Sequence, residues 1–354
     1  MYLALKEIFH EKLRYSLIIA MIVLITYLIF ILSGLSTGLA GENTQAIDSW
    51  GAKSMVLNKD ANVNLSQSLI TDRQAKDANL TDREAVIGQA PVVAKHQGSP
   101  KESSSFVGIK NDQFIAKNLE IASGHKIHNN RQVVVDDQFK SDGYRIGDKI
   151  QLNSLSDKYQ IVGFTKDAKL NVAPVIYGTL SAWKQLRGME NTNAFGSAIA
   201  SKNANYNANN SQLKKYSIAY FISKLPGYSA QNTTFDFMIG FLMIISLIII
   251  AVFLYILTVQ ALPTYAVLRA QGIPAAALVR TIMGQSLILM AAGIIIGAAL
   301  TLLTSRMIPI GVPIAFNVPM LSMISVGLLF MGVVGAAIPA RKIATVDPVQ
   351  VIGG

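Results

Sequence analysis

The chain has 354 residues, 51% of them hydrophobic, and 31 Lys and Arg against 21 Asp and Glu give it a formal charge of +10. The basic residues are dispersed rather than clustered, which argues against a nucleic-acid-binding surface and for solvated faces and membrane flanks. Cysteine is absent, which excludes disulfide staples, thiolate nucleophiles and thiolate metal sites.

In chain order, residues 1–14 read as a cytoplasmic amphipathic helix, with Leu3 to Leu13 lying flat on the inner membrane face. An apolar run over residues 15–40 follows, well beyond the 7–15 apolar residues of a signal-peptide core, and is predicted to be an uncleaved transmembrane helix. Three more apolar runs, at 237–259, 281–303 and 318–338, each near the roughly 20 residues that a bilayer crossing needs, place transmembrane helices at 232–259, 281–305 and 318–338. A cytoplasmic loop (260–280) and a short outer loop (306–317) separate them, and a cytoplasmic tail (339–354) closes the chain. The fold class is therefore an integral membrane α-helical protein with four transmembrane helices in a 1 + 3 order. A large extracytoplasmic mixed α/β domain (41–231) is inserted between helices 1 and 2.

Orientation follows from basic residues close to the helix ends. Lys6, Lys12 and Arg14, then Arg269 and Arg280, then Arg341 and Lys342 all mark one side as cytoplasmic, and both termini with it. Arg306 is the exception, a single arginine able to snorkel at a helix end. A cysteine-free exported domain points to a bacterial cytoplasmic membrane and leaves the four Asn-x-Ser/Thr triplets, at Asn64, Asn79, Asn209 and Asn232, without a glycosylation role.

Inside the inserted domain, Gln132–Asp136, Lys149–Leu152 and Lys158–Gly163 read as strands, with a turn at Tyr144–Asp148. Leu65 to Ala85 reads as helical, with Thr81 and Glu84 fitting a capping box. Residues 190–212, rich in Asn, Ser and Ala, read as a loop or a loosely packed edge.

The catalytic inventory is nearly empty. The chain holds no P-loop, no G-x-S-x-G and no H-E-x-x-H, so it is not expected to be an enzyme by itself. His125 and His128, three residues apart, have a spacing that could share a metal, but with no obvious third ligand nearby they read as a polar surface turn. No resident metal is expected.

Two cytoplasmic segments carry the meaning. Gln260 to Arg280 extends the second span, breaks at Gly272 and Pro274, and restarts toward the third. This reads either as a short helix turned against the inner membrane face, where another protein pushes on it, or as a plain hairpin. Tyr265-Ala-Val-Leu-Arg-Ala-Gln-Gly272 and the closing Ala340-Arg-Lys-Ile-Ala-Thr-Val-Asp-Pro-Val-Gln-Val-Ile352 resemble the FtsX-like/MacB-type permease subunits of ABC transporters, as does the topology. Tyr144-Arg-Ile-Gly-Asp-Lys-Ile150 resembles a strand entry of that family's outer domain. Leu262-Pro-Thr264 stands where the family commonly has an acidic residue, which bears on how the ATPase docks.

The resemblance implies a homodimer served by two copies of a separate cytoplasmic ABC ATPase, which binds ATP and Mg. It implies ATPase coupling through Tyr265, Arg269, Gly272, Pro274 and Arg280, with membrane lipid as surroundings and no nucleic acid among the partners. Leu3–Ile8, Ser33–Ala40 and Glu42-Asn43 further resemble the HrtB-like haem exporters, which implies haem as transported substrate and no intrinsic cofactor. The candidate haem contacts are Glu42, Tyr228, Asp236 and Met238, because carboxylate, phenolate and thioether can ligate or flank haem iron. Each also has an ordinary role, as interfacial charge, interface anchor or packing. Two other functions stay open: export of an antimicrobial peptide, lipid or drug, and FtsX-like mechanotransmission to a cell-wall partner outside.

Overall fold

The computed structural model describes residues 11–308 and 311–344 and divides the chain into two units, 1–38 with 233–354, and 39–232. The segment expected to be amphipathic therefore lies outside the described residues up to residue 10, as does the tail from residue 345. The helices are α1 (Lys12–Trp50), α2 (Asp72–Ala75), α3 (Phe114–Asn118), α4 (Gln138–Ser141), α5 (Leu180–Leu186), α6 (Ile218–Ser223), α7 (Tyr228–Ala270), α8 (Ala275–Ser305) and α9 (Val318–Ala344).

Among the described residues, α1, α7, α8 and α9 are the helices long and apolar enough to cross a membrane. In lipid, helices gain little from hydrophobic burial against one another, so close packing through small residues holds them together. Gly293 and Gly297 of α8 form such a small-xxx-small pair. A methyl group on Gly293 would lie 2.3 Å from Ile22 Cγ2 of α1, and one on Gly297 would lie 3.0 Å from Thr26 Cβ. A methyl on Gly332 of α9 would meet Met290 Cγ of α8 at 2.4 Å, and the Ser286 hydroxyl donates to the Gly332 carbonyl at 2.7 Å. The loop between α8 and α9 returns onto α1, where the Ala315 amide donates to the Gly34 carbonyl (3.0 Å) and Pro313 leaves no room for a side chain at Gly38.

The other unit is built on β1 (Ser54–Asn58), β2 (Ile70–Thr71), β3 (Glu84–Lys95), β4 (Glu102–Ile109), β5 (Ser123–Gly124), β6 (Gln132–Asp136), β7 (Lys149–Leu152), β8 (Lys158–Thr165), β9 (Lys169–Leu170), β10 (Ala173–Thr179), β11 (Ala194–Gly196), β12 (Ala198–Ser201) and β13 (Leu213–Ser217). The main path runs β13-β1-β12-β3-β4-β10-β6-β8-β5. Because β7 pairs with both β3 and β8, the strands β3, β4, β10, β6, β8 and β7 close into a ring. Pairing is antiparallel except for β4 with β10 and β6 with β8.

Side chains alternate between two cores, as a period of two requires. Phe106, Val133, Val135, Ile150, Tyr159 and Ile176 belong to one. Val107, Val134, Val175 and Tyr177 belong to the other, together with Ile47 and Trp50 of α1 and Phe221 of α6. Trp50 donates to the Tyr177 hydroxyl (3.1 Å) and Trp183 to the Gln89 carbonyl (3.0 Å), so both indoles are buried with their N–H groups satisfied.

Several local expectations are corrected. Leu65 to Ala85 is not one helix; it holds β2, the short α2, entered by a true capping box between Thr71 and Gln74, and the start of β3. Thr81 and Glu84 do bond, with the Thr81 amide and hydroxyl both donating to Glu84 Oε2 (3.1 and 2.6 Å). They close a turn, because the residues that follow are the alternating apolar run of β3. Residues 190–212 are not all loop, since Ala198–Ser201 is an inner strand, buried throughout, between β1 and β3. Its small side chains, which resembled loop composition, are what fit between two neighbours. The 260–280 segment holds no separate short helix: α7 continues through Pro263 to Ala270, and only residues 271–274 turn. Likewise α9 runs on through Pro339 into the segment expected as tail.

Candidate functional site

The turn between α7 and α8 is a fixed corner. Gly272 has φ +89°, a conformation that glycine adopts without strain. Its amide donates to the Arg269 carbonyl (2.9 Å) and the Ile273 amide to the Leu268 carbonyl (3.1 Å), the bond pair of a Schellman end. Leu268 and Ile273 both pack on the helical core, as that motif favours. Pro274 then caps α8 from an extended conformation. Gly272, Pro274 and Arg280 are exposed and Val267 is 47% exposed, whereas Arg269 is half-buried and Tyr265 is buried. Of the five residues expected to couple, Gly272 and Pro274 are exposed at the corner, Arg280 is exposed on the second turn of α8, Arg269 is half-buried and Tyr265 is buried.

Tyr265 borders a cavity of about 200 Å³ that Thr258 and Gln285 also line, with Glu11 and Arg14, whose side chains pair at 2.8 Å. Gln285 and Thr258 are buried, at 3% and 4% exposure. Sequence reading passed over both because neither carries a charge. A glutamine inside an apolar run is the signal that could have marked this place, since a buried amide in lipid needs partners.

Of the candidate haem contacts, Glu42 and Tyr228 belong to the inserted domain, and Asp236 and Met238 to the helical unit. Glu42 is engaged: Lys169 donates to its Oε1 at 2.6 Å, and the two side chains are 13% and 14% exposed. The Val172 amide donates to the Glu42 carbonyl (3.2 Å) and the Asn171 amide to that of Asn43 (3.2 Å), so this turn of α1 anchors the loop between β9 and β10. Tyr228 packs partly buried on the core that contains Trp50 and Leu225. Asp236 and Met238 are both exposed. Two residues apart on one helix, they point about 200° away from each other, so a single molecule meets one or the other on a given chain. Met238 (46%), Phe237 (64%) and Phe241 (62%) form part of the exposed apolar surface of α7.

In the inserted domain, burial raises the carboxyl pKa of Asp136 above its usual range, against hydrogen bonds from the Gln138 and Ala168 amides. Burial likewise pushes Tyr177 up to about 12. Both groups serve the core. Among the described residues, no group of three or more His, Asp or Glu side chains is placed to hold a metal ion.

Residues 237–348 match the FtsX-like permease C-terminal family, and residues 16–216 match the MacB-like periplasmic core domain. Over 356 aligned residues, covering all of this chain and 99% of the relative, the sequence is 26% identical to a protein of Staphylococcus epidermidis that carries the provisional name hemin transport system permease protein HrtB. A protein of the same provisional name from Staphylococcus haemolyticus is 22% identical over 354 residues, again covering all of this chain and 99% of the relative. Among solved structures, the periplasmic region of MacB from Actinobacillus actinomycetemcomitans aligns at 12% identity and a TM-score of 0.36, covering 54% of this chain and 95% of that one. The extracellular domain of the ABC-type transporter YknZ aligns at 12% and 0.32, covering 42% and 81%. With one family model over the inserted domain and another over the last three membrane helices, the chain belongs to the MacB/FtsX-type permeases of bacterial ABC transporters, membrane subunits that work with an ATP-binding partner.

Proposed function

We propose that this permease works as a homodimer that expels haem from the membrane, driven by ATP hydrolysis in two copies of a separate cytoplasmic ABC ATPase. The observation that carries this reading is the end-to-end similarity to hemin-transport permeases, which extends over both the inserted domain and the membrane helices. Both termini and the corner at residues 271–274 lie on the cytoplasmic side in this reading. The ATPase presses on the corner at Gly272 and Pro274, with Arg269 before it and the exposed Arg280 on the second turn of α8. The Schellman bonds tie the corner to the last turn of α7 and Pro274 opens α8, so a push on the corner reaches both helices.

At the outer end of α7, Met238 offers a soft thioether among exposed phenylalanines, a surface suited to a planar, lipophilic iron macrocycle. Asp236 offers a carboxylate on another side of the helix. Glu42, through the oxygen that Lys169 does not hold, and Tyr228 are separate candidate haem contacts on the inserted domain.

The test is a haem titration of the permease with its ATPase in nanodiscs, following the Soret band and ATP hydrolysis together. A saturable Soret shift with stimulated hydrolysis, both weakened by Met238→Ala, is expected. A featureless spectrum with unstimulated hydrolysis overturns haem export. Stimulation by a peptide or drug instead, or by a protein bound to the outer domain, would redirect the reading to a resistance exporter or a mechanotransmitter.

A further inference from the structure

The His125–His128 pair plays no part in the function proposed above, and the structure gives it a definite geometry. The two imidazole centroids lie 5.3 Å apart with planes 28° from parallel, and both side chains are exposed. Metal–nitrogen bonds of about 2.0–2.1 Å put each imidazole centroid about 3.2 Å from a bound ion. Two rings at a ligand–metal–ligand angle of roughly 90–110° then sit about 4.5–5.2 Å apart, and two rings on opposite sides of one ion about 6.4 Å apart. The observed 5.3 Å lies within about 0.1 Å of the upper end of the first arrangement and well short of the second. The spacing is compatible with one ion between neighbouring ligands and too short for a haem iron sandwiched between the two rings.

A second observation points the same way. His125 Nδ1 lies 2.8 Å from the Lys126 carbonyl oxygen. A carbonyl can only accept, so Nδ1 carries the hydrogen and Nε2 keeps its lone pair for a ligand. Metal-binding histidines characteristically donate their other ring N–H in this way, to a backbone carbonyl or a carboxylate.

The loop that presents the pair is held from several sides. The His125 amide donates to the Val162 carbonyl (3.0 Å), and the Asn111 side chain donates to the Ile127 carbonyl (3.0 Å). The His128 amide donates to Gln132 Oε1 (2.9 Å). Ile127, between the histidines, is 5% exposed and anchors the loop in the core. Lys126, the nearest cation in the sequence, turns its ammonium onto the Ala116 and Lys117 carbonyls (3.0 and 2.8 Å). Both rings are thus set on a fixed backbone.

We infer that His125 and His128 form a two-imidazole site on the inserted domain for one divalent transition-metal ion of the copper, nickel and zinc group. Imidazole nitrogen suits these ions, and copper(II) binds most tightly in the series. With no third protein ligand in place among the described residues, the ion keeps positions open to water or to an incoming ligand. That makes it exchangeable rather than structural.

The experiment titrates copper(II) into tag-free, full-length protein in detergent and reads electron paramagnetic resonance. The expected result is one ion per chain with a two-nitrogen pattern. His125→Gln and His128→Gln should each weaken binding at least about tenfold, which is the lower end of what loss of an outer-shell partner alone costs. His96→Gln should leave binding unchanged, because the neighbours of that ring are Tyr144, at 6.0 Å between centroids, and the Asp148 carboxylate, at 3.7 Å, rather than a second imidazole. Tryptophan fluorescence checks that each variant is folded. A one-nitrogen spectrum, or affinity unmoved by either His125→Gln or His128→Gln, overturns the site.

Discussion

The Glu42–Lys169 pair joins the last turns of α1 to β9, and its strength can be worked out from its surroundings. At 2.6 Å the gross attraction is about 6 kcal/mol for an effective dielectric constant of about 20. Most of that is offset by taking two charges partly out of water. Exposed pairs retain about 0–1 kcal/mol, while breaking a fully buried pair costs about 3–5 kcal/mol. With side chains 13% and 14% exposed, the pair falls between these limits, at a coupling of about 2 kcal/mol. The backbone bonds from Val172 and Asn171 do not depend on either side chain, so the loop stays in place when the pair is removed.

Glu42→Gln, Lys169→Met and the double variant form a cycle. The only two tryptophans of the chain, Trp50 and Trp183, lie in the inserted domain at 1% and 0% exposure, so their fluorescence reports its unfolding. Each single variant should lower the midpoint by several degrees, at about 2–4 °C per kcal/mol for a domain of this size. The double variant should lose less than the sum of the singles by the coupling energy. Additivity within about 0.5 kcal/mol would refute the reasoning.

Other tests bear on separate parts of the molecule. Gly293→Ala should destabilise the helical unit by about 1–3 kcal/mol through overpacking against Ile22, read as a lower aggregation temperature in detergent, and Ile22→Ala should partly rescue it. Arg269→Glu should reduce ligand-stimulated ATP hydrolysis by the partner while leaving membrane insertion intact; full stimulation would remove this corner from the coupling path. Protonation of Asp136 favours the fold, because its folded pKa lies above the usual value of 3.8. That contribution is present below pH 3.8 and is lost as the pH rises through the folded value. Relative to Asp136→Asn, the wild type should therefore be more stable near pH 4 than at pH 7 by tryptophan fluorescence, and an equal difference at both would contradict the assignment.

The membrane architecture was readable because a bilayer imposes one demand, a long uncharged run, that no soluble helix shares. The corner was readable too, since Gly272 and Pro274 have backbone preferences that act locally. What stayed hidden depends on distant neighbours. Ala198–Ser201 looks like loop composition until β1 and β3 flank it, and its small residues then become a fit. Thr81 and Glu84 make the bonds of a cap but end a turn, because the following apolar run pairs with β4 and β12. The partner of Glu42 is Lys169, 127 residues away, and no local pattern announces it. Gln285 carried no charge to draw attention, and only the helices around it show that it is buried.

The central claim, haem export, is tested most directly by haem binding to the permease in nanodiscs with its ATPase present. The expected result is a saturable Soret shift that Met238→Ala weakens, together with haem-stimulated ATP hydrolysis. An unshifted Soret band with hydrolysis indifferent to haem would contradict it.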